Sequence, residues 1–111
     1  MKFVPLHRLD LFAGSTLIAL VLSAQCSAQP AAPDRGHALA VQLCQQCHAV
    51  DRGVTGPILA DVPSFAAIAA RSLVTAEYLA ARIIVPHPEM PGVPLTRQEL
   101  RDIIAYIMDL K

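Results

Sequence analysis

The sequence predicts an all-α domain, and three observations support this fold class. Apolar residues recur with helical spacing near the C-terminus, capping residues stand directly before the periodic segments, and no stretch of useful length alternates apolar and polar residues as a strand does. The 111 residues allow one small domain. With 9 basic and 9 acidic side chains, and neither half strongly basic, nucleic acid is not expected as a partner.

Residues 1–28 have the pattern of a secretory signal peptide. Lys2 and Arg8 precede the apolar run 11–22, and small and polar residues follow up to Ala28. At 1.5 Å per residue this run reaches about 18 Å, against a hydrocarbon core of roughly 30 Å, so stable membrane insertion is not expected. We expect cleavage near Ala28 and a periplasmic location.

Cys26 raises the question of a lipid anchor. The preceding residues form a poor lipobox, because Gln25 is larger than the Gly, Ala or Ser that such a site requires. Lipid anchoring through Cys26 is therefore not expected. The exported chain would then consist of a short flexible tail, 29–33, and a domain, 34–111.

Two helices are predicted in the first half of this domain. The segment 34–44 has Asp34 as its candidate N-cap and apolar residues spaced by four. Glycines and prolines break any periodicity in 49–63, which predicts a loop. A helix of about two turns is predicted for 64–70.

Two further helices are predicted in the second half, separated by a proline-rich loop. Thr75 is the predicted N-cap of a helix over 76–84. Four prolines in 85–95 fix φ and remove backbone donors, so this stretch is predicted to be an irregular, stiff loop. The last helix, 97–110, begins with a Thr-x-x-Glu capping box and carries a continuous apolar stripe.

The run Cys44-Gln45-Gln46-Cys47-His48 carries the most specific chemical signal. It is the c-type haem attachment pattern, in which each thiol forms a thioether with one haem vinyl group and the adjacent His ligates the iron. The alternatives are a thioredoxin-like redox pair, half of a zinc site and a chance Cys-x-x-Cys. A redox pair is expected in a βαβ context, and a structural zinc site needs four ligands, whereas no second Cys pair follows.

On these residues the chain resembles class I cytochrome c, the small bacterial monohaem family, over 34–111. The family features that occur here in the same order are Gly36, the motif 44–48, the pair Gly56-Pro57, Met90 and Tyr106. The resemblance implies three to five helices around one covalently attached haem c. It also implies that Gly36 and Leu39 pack against the last helix, where a glycine permits close backbone approach.

The resemblance also implies an axial ligand on each side of the iron. His48 is then the proximal ligand, and its other ring nitrogen donates to the Pro57 carbonyl, which orients the ring. Met90 lies in a loop that resembles His-Pro-x-Met-Pro and is the expected distal ligand. A thioether ligand favours ferrous iron, which suits an electron carrier. His87, three residues before Met90, is the alternative distal ligand.

The remaining candidate residues have expected structural roles. Met108 lies on the apolar stripe of the last helix and should pack in the core, whereas His37 is expected at the surface. Four apolar residues are expected to line the haem pocket or fill the core beside it: Phe65, Ile68, Leu79 and Ile83.

The expected function is electron transfer rather than catalysis. With both axial positions filled, the iron has no open site for a substrate, so the protein would carry one electron between a dehydrogenase or respiratory complex and an acceptor. Its partners would be redox proteins, bound by a monomer or in transient complexes. Two alternatives remain: a ligand-binding or peroxidase-like haem protein with an open or displaceable distal site, and a haem subunit of a larger oxidoreductase.

Overall fold

Four helices make up the regular secondary structure of the chain. The computed structural model describes residues 28–56, 58–85, 87 and 90–111, and within these ranges no strand occurs. In chain order the helices are α1 Pro33–Leu43, α2 Phe65–Ala69, α3 Ala76–Ile84 and α4 Arg97–Met108. The predicted all-α class is confirmed. The predicted signal peptide lies outside the described residues except for Ala28, and no helix of the described ranges is long and apolar enough to cross a membrane.

The start of α1 differs from the prediction. The N-cap is Ala32, without a side-chain hydrogen bond, and Pro33 occupies the first turn, so Asp34 is not the cap. Proline suits this position because its fixed φ matches the helix and its missing N–H would be unpaired there in any case. Asp34 lies within the first turn, where its negative charge faces the positive end of the helix dipole.

α3 and α4 begin at the predicted caps, Thr75 and Thr96, whereas Ser64, the predicted first residue of the second helix, is the N-cap of α2. The side chains of Ser64, Thr75 and Thr96 each accept a hydrogen bond from the backbone N–H three residues on. At Thr96 the capping box is complete, because the Glu99 carboxylate accepts from the Thr96 N–H at 2.7 Å. α4 ends at Met108, two residues before the predicted end, because the following backbone turns with hydrogen bonds to residues three positions back.

Replacing Thr96 with alanine tests this cap. The variant loses the oxygen that accepts from the Glu99 N–H at 3.2 Å, so we expect the start of α4 to fray and the free energy of unfolding to fall by about 1 kcal/mol. Chemical denaturation followed by circular dichroism measures the change. Thr96→Ser keeps the hydroxyl and should retain most of the stability. An unchanged unfolding midpoint in Thr96→Ala would show that tertiary contacts alone hold this end of the helix.

α1 and α4 cross in direct contact, with Gly36 at the crossing. A Cβ atom at position 36 would lie 1.9 Å from the Asp102 carbonyl oxygen and 2.9 Å from the Tyr106 Cβ. A glycine is therefore required here, because any larger residue would push the two backbones apart. The expected packing of Gly36 on the last helix is confirmed.

A buried carboxylate joins the N-terminal tail to both of these helices. Asp102 is 2% exposed and accepts hydrogen bonds from the Ala32 N–H at 2.8 Å, Arg35 Nε at 3.0 Å and Gln98 Nε2 at 3.0 Å. Burial by itself would raise the pKa of Asp102, but these donors outweigh it and hold the pKa below its ordinary value. Arg35 also donates to the Pro30 carbonyl at 3.0 Å, so the tail that was expected to be flexible is partly fixed.

Tyr106 ties α4 to the loop that follows the cysteine motif. Its buried hydroxyl donates to the Val50 carbonyl at 2.6 Å. His37 lies against the Tyr106 ring, with 4.8 Å between ring centroids, and pairs with Asp51 at 2.9 Å, while the Arg52 guanidinium lies 5.6 Å from the centre of the same ring. The His37 side chain is 42% exposed, as expected for a surface residue.

The core draws on all four helices and the loop after the motif. Met108 packs against it, as predicted. Its buried members are Ala40, Val50, Phe65, Ala69, Val74, Leu79, Ile103, Ile104, Tyr106 and Ile107.

Candidate functional site

The structure brings four of the five predicted site residues together around one cavity. Cys44, Cys47 and His48 line this cavity of 310 Å³ together with Met90, which follows His48 by 42 positions. The motif follows the end of α1 directly, and Met90 lies in the loop between α3 and α4. A single cavity can therefore present two thiols, an imidazole and a thioether to one bound group.

His48 is oriented by a backbone carbonyl. Its Nδ1 lies 2.7 Å from the Pro63 carbonyl oxygen, and because a carbonyl can only accept, Nδ1 carries the proton and Nε2 is left to bind a metal. The expectation that the Pro57 carbonyl accepts this bond is wrong. Pro57 itself lies outside the described residues, so its predicted place in the binding site stays a prediction.

Local hydrogen bonds explain why Pro63 takes this role. The next residue, Ser64, is the N-cap of α2 and donates from Oγ to the Thr55 carbonyl at 3.0 Å. Phe65, the first residue of α2, donates its N–H to the Ala49 carbonyl at 2.9 Å. The backbone that follows position 63 is thus held beside the motif by the hydrogen bonds of Ser64 and Phe65. A proline directly before a helix cap was the available signal in the sequence.

The two cysteines do not form a disulfide in the described structure. Both thiols are free and partly buried. Burial, and then the neighbouring Cys47, raise the pKa of the Cys44 thiol to about 11, so the free thiol is protonated at neutral pH. A redox-active thiol pair instead requires a lowered thiol pKa. No group of three or more His, Cys, Asp or Glu side chains that could hold a metal occurs within the described ranges, which also argues against a zinc site.

Both candidate distal ligands reach the cavity. Met90 is partly buried, and its N–H donates to the His87 carbonyl at 2.9 Å. His87, the alternative ligand, is also partly buried and lines the cavity. Its Nδ1 is buried and has no hydrogen-bond partner among the residues that the structure describes. The neighbouring positions 86, 88 and 89 lie outside the described residues.

The walls of the cavity are mostly apolar. The four residues expected to line the pocket, Phe65, Ile68, Leu79 and Ile83, all do so. α4 adds Ile103 and Ile107, which come from the predicted apolar stripe. Two arginines, Arg71 and Arg82, also line the cavity, although no motif in the sequence distinguishes them from surface residues.

Comparison with known proteins shows the family to which the chain belongs. A family model described as cytochrome C oxidase, cbb3-type, subunit III matches residues 31–107, which is most of the chain. The chain therefore belongs to the c-type cytochromes. The cytochrome is also similar to cytochrome c-552 of Bradyrhizobium diazoefficiens, with 43% identity over 98 residues that cover 88% of this chain and 93% of that protein. No solved structure shows significant similarity to it.

Family membership implies haem c as the covalently attached cofactor of the cytochrome, and the cavity fits this group. Its apolar walls suit the macrocycle, and the paired thiols suit the two vinyl groups. The buried, unpartnered His87 Nδ1 is a polar group that a purely apolar ligand would leave without a partner. The family and the named relative indicate electron transfer rather than enzymatic catalysis.

Proposed function

We propose that this cytochrome is a periplasmic carrier of single electrons whose haem is attached through Cys44 and Cys47 and ligated by His48 and Met90. The observation that supports the proposal is the convergence of these four side chains on one apolar cavity. When bound, haem supplies a one-electron Fe(III)/Fe(II) couple. If His48 and Met90 both hold the iron, no metal site would be left open to a substrate.

The chain's own residues determine the properties of this couple. His48 uses Nε2 as a ligand, while the bond from Nδ1 to the Pro63 carbonyl fixes the ring plane and raises its basicity as a ligand. The Met90 thioether is a soft ligand that raises the reduction potential. Apolar side chains such as Phe65 and Ile107 exclude water, which favours the ferrous state because it has the lower net charge at the iron.

Export also belongs to this proposal. Lys2 and Arg8 followed by the apolar run 11–22 support a signal peptide over 1–28 that is cleaved near Ala28. Cleavage there retains Pro30 and Ala32, whose backbone groups bond with Arg35 and Asp102. The domain over 34–111 would therefore keep the contacts that hold its N-terminus to α4.

The proposed partners are redox proteins, namely a dehydrogenase or respiratory complex and an acceptor, contacted by a monomer in transient complexes. A second candidate is a haem subunit within a larger oxidoreductase, which is favoured by the oxidase subunit named in the description of the family model. Size-exclusion chromatography of the mature protein purified from its own host separates the two. A free monomer supports the carrier, and co-purification in a stable complex supports the subunit.

Replacing Met90 with alanine tests both the distal ligand and the carrier function. The wild type should show a pyridine haemochrome of two thioethers, a far-red ferric band from sulfur ligation and no change when carbon monoxide is added to the reduced protein. Met90→Ala should lose the far-red band, bind carbon monoxide and have a lower reduction potential, because a site loses its soft ligand and opens.

His87→Ala is the matched control, since it changes the same loop at the alternative ligand. It should keep the far-red band and remain inert to carbon monoxide. The opposite pattern, with the band retained in Met90→Ala and the spectrum altered in His87→Ala, would identify His87 as the distal ligand. Rapid carbon monoxide binding by the reduced wild type would favour the ligand-binding class over the carrier.

A further inference from the structure

The two arginines at the cavity are not used by the attachment and ligation chemistry. Haem carries two propionate carboxylates on one side of the ring, and a carboxylate placed at an apolar cavity needs water or a charged partner. Arg71 and Arg82 are exposed residues that nevertheless line the cavity. They therefore lie at its solvent-accessible rim, where a charged edge of a ligand can remain partly hydrated.

The two arginines lie on neighbouring elements of the fold. Arg82 lies on α3 one turn after Tyr78, and both residues line the cavity from the same helix face. Arg71 lies in the turn between α2 and α3, where its N–H donates to the Ile68 carbonyl at 3.2 Å and its carbonyl accepts from the Val74 N–H at 3.3 Å. The two cations are thus carried by short, hydrogen-bonded elements.

Neither arginine is engaged elsewhere in the described structure. Arg35 and Arg52 form ion pairs with carboxylates, and Arg101 donates to the Gln98 side chain at 2.8 Å. Within the described ranges, Arg71 and Arg82 have no ion pair and no side-chain hydrogen bond. Among the described residues no carboxylate takes up their guanidinium donors, although an acidic residue, Asp61, also lines the cavity.

We infer that Arg71 and Arg82 bind the two propionate carboxylates of the haem. A guanidinium can offer a carboxylate two parallel N–H donors, so each arginine orients the edge of the ring as well as neutralising its charge. The inference rests on haem in this cavity and does not depend on whether Met90 or His87 is the distal ligand.

The pairing has a consequence for the dependence of the reduction potential on pH. A guanidinium beside a carboxylate lowers the pKa of that carboxyl, so paired propionates stay ionised to lower pH. Ionised propionates stabilise ferric iron, so the potential steps downward as pH rises through their titration. Loss of an arginine should move this step to higher pH.

The test uses Arg71→Gln and Arg82→Gln in the matured haem protein. We expect each variant to shift a propionate bending mode in the resonance Raman spectrum and to move the pH-dependent step of the potential to higher pH. Arg71→Lys and Arg82→Lys keep the positive charge and should therefore restore most of the position of the pH step. They should restore less of the Raman mode, because an ammonium lacks the two parallel N–H donors of a guanidinium.

Arg101→Gln is the control, since it removes the same charge from α4 at a residue that does not line the cavity. It should leave both the Raman mode and the pH step unchanged. Wild-type behaviour of both readouts in Arg71→Gln and Arg82→Gln would overturn the inference, and a change in only one variant would overturn the assignment of the other arginine. The far-red ferric band, recorded on the same samples, reports separately on Met90.

Discussion

Replacing Gly36 with alanine should destabilise the protein strongly. The new Cβ would lie 1.9 Å from the Asp102 carbonyl oxygen, and a backbone atom cannot move aside by changing rotamer. α1 and α4 must then separate along their whole contact. We expect the free energy of unfolding to fall by about 3 kcal/mol or more, which is a large fraction of the stability of so small a domain.

The measurement is the yield of covalently haem-loaded protein together with its thermal unfolding midpoint. Gly56→Ala is a matched control, because a Cβ at Gly56 meets no atom within 4 Å. This control should resemble the wild type in both yield and midpoint. Equal stability of Gly36→Ala and Gly56→Ala would mean that the close crossing of α1 and α4 is not required for the fold.

Replacing Asp102 with alanine should have the second largest effect. The substitution leaves the Ala32 N–H, Arg35 and Gln98 without their common acceptor, and it does so at a site that is 2% exposed. Donors that lose a buried partner keep their desolvation cost, so we expect a loss of about 3 kcal/mol. Asp109→Ala is the control, because Asp109 also pairs with an arginine but is 52% exposed, and it should be far less destabilising.

The same variant should change how stability depends on pH. The pKa of Asp102 lies below its ordinary value of 3.8, so its contribution is full well above this pH and is lost as the pH falls through the folded-state pKa. The gap between the unfolding midpoints of the wild type and Asp102→Ala should therefore be large at neutral pH and should narrow in acid. A gap that does not change with pH would show that ionised Asp102 is not the stabilising species.

Local sequence signals predicted the helices well, because a capping side chain and the backbone N–H that it accepts from are only three residues apart. Thr75 and Thr96 begin α3 and α4 at the predicted positions. At α1 two local signals competed, and Pro33 determines the start of the helix rather than the side chain of Asp34. The approach of Gly36 to α4 was predicted from the family resemblance, since spacing alone does not show which helices cross.

The candidate site was predictable where side-chain type carries the chemistry and was missed where the backbone does. The motif ending in His48, together with Met90, is visible in the sequence, and the structure brings these residues to one cavity. The acceptor for His48 Nδ1 is a main-chain carbonyl, a group that every residue has, so the choice of Pro63 over Pro57 depends on how the loop folds. Arg71 and Arg82 resemble solvated surface residues until the cavity is seen.

The contact of α1 with α4 makes the completion of the cavity depend on α4, the last of the four helices. Asp102 bonds with Ala32 across 70 positions of the chain, and α4 also supplies Ile103 and Ile107 to the cavity wall. Because the two partners are so distant in sequence, this contact requires the closure of a long loop, which has an entropic cost. A nascent or translocating chain that lacks α4 has Cys44 and Cys47 beside a cavity without that wall. The two thiols would therefore be more accessible to haem before α4 packs against α1 than afterwards.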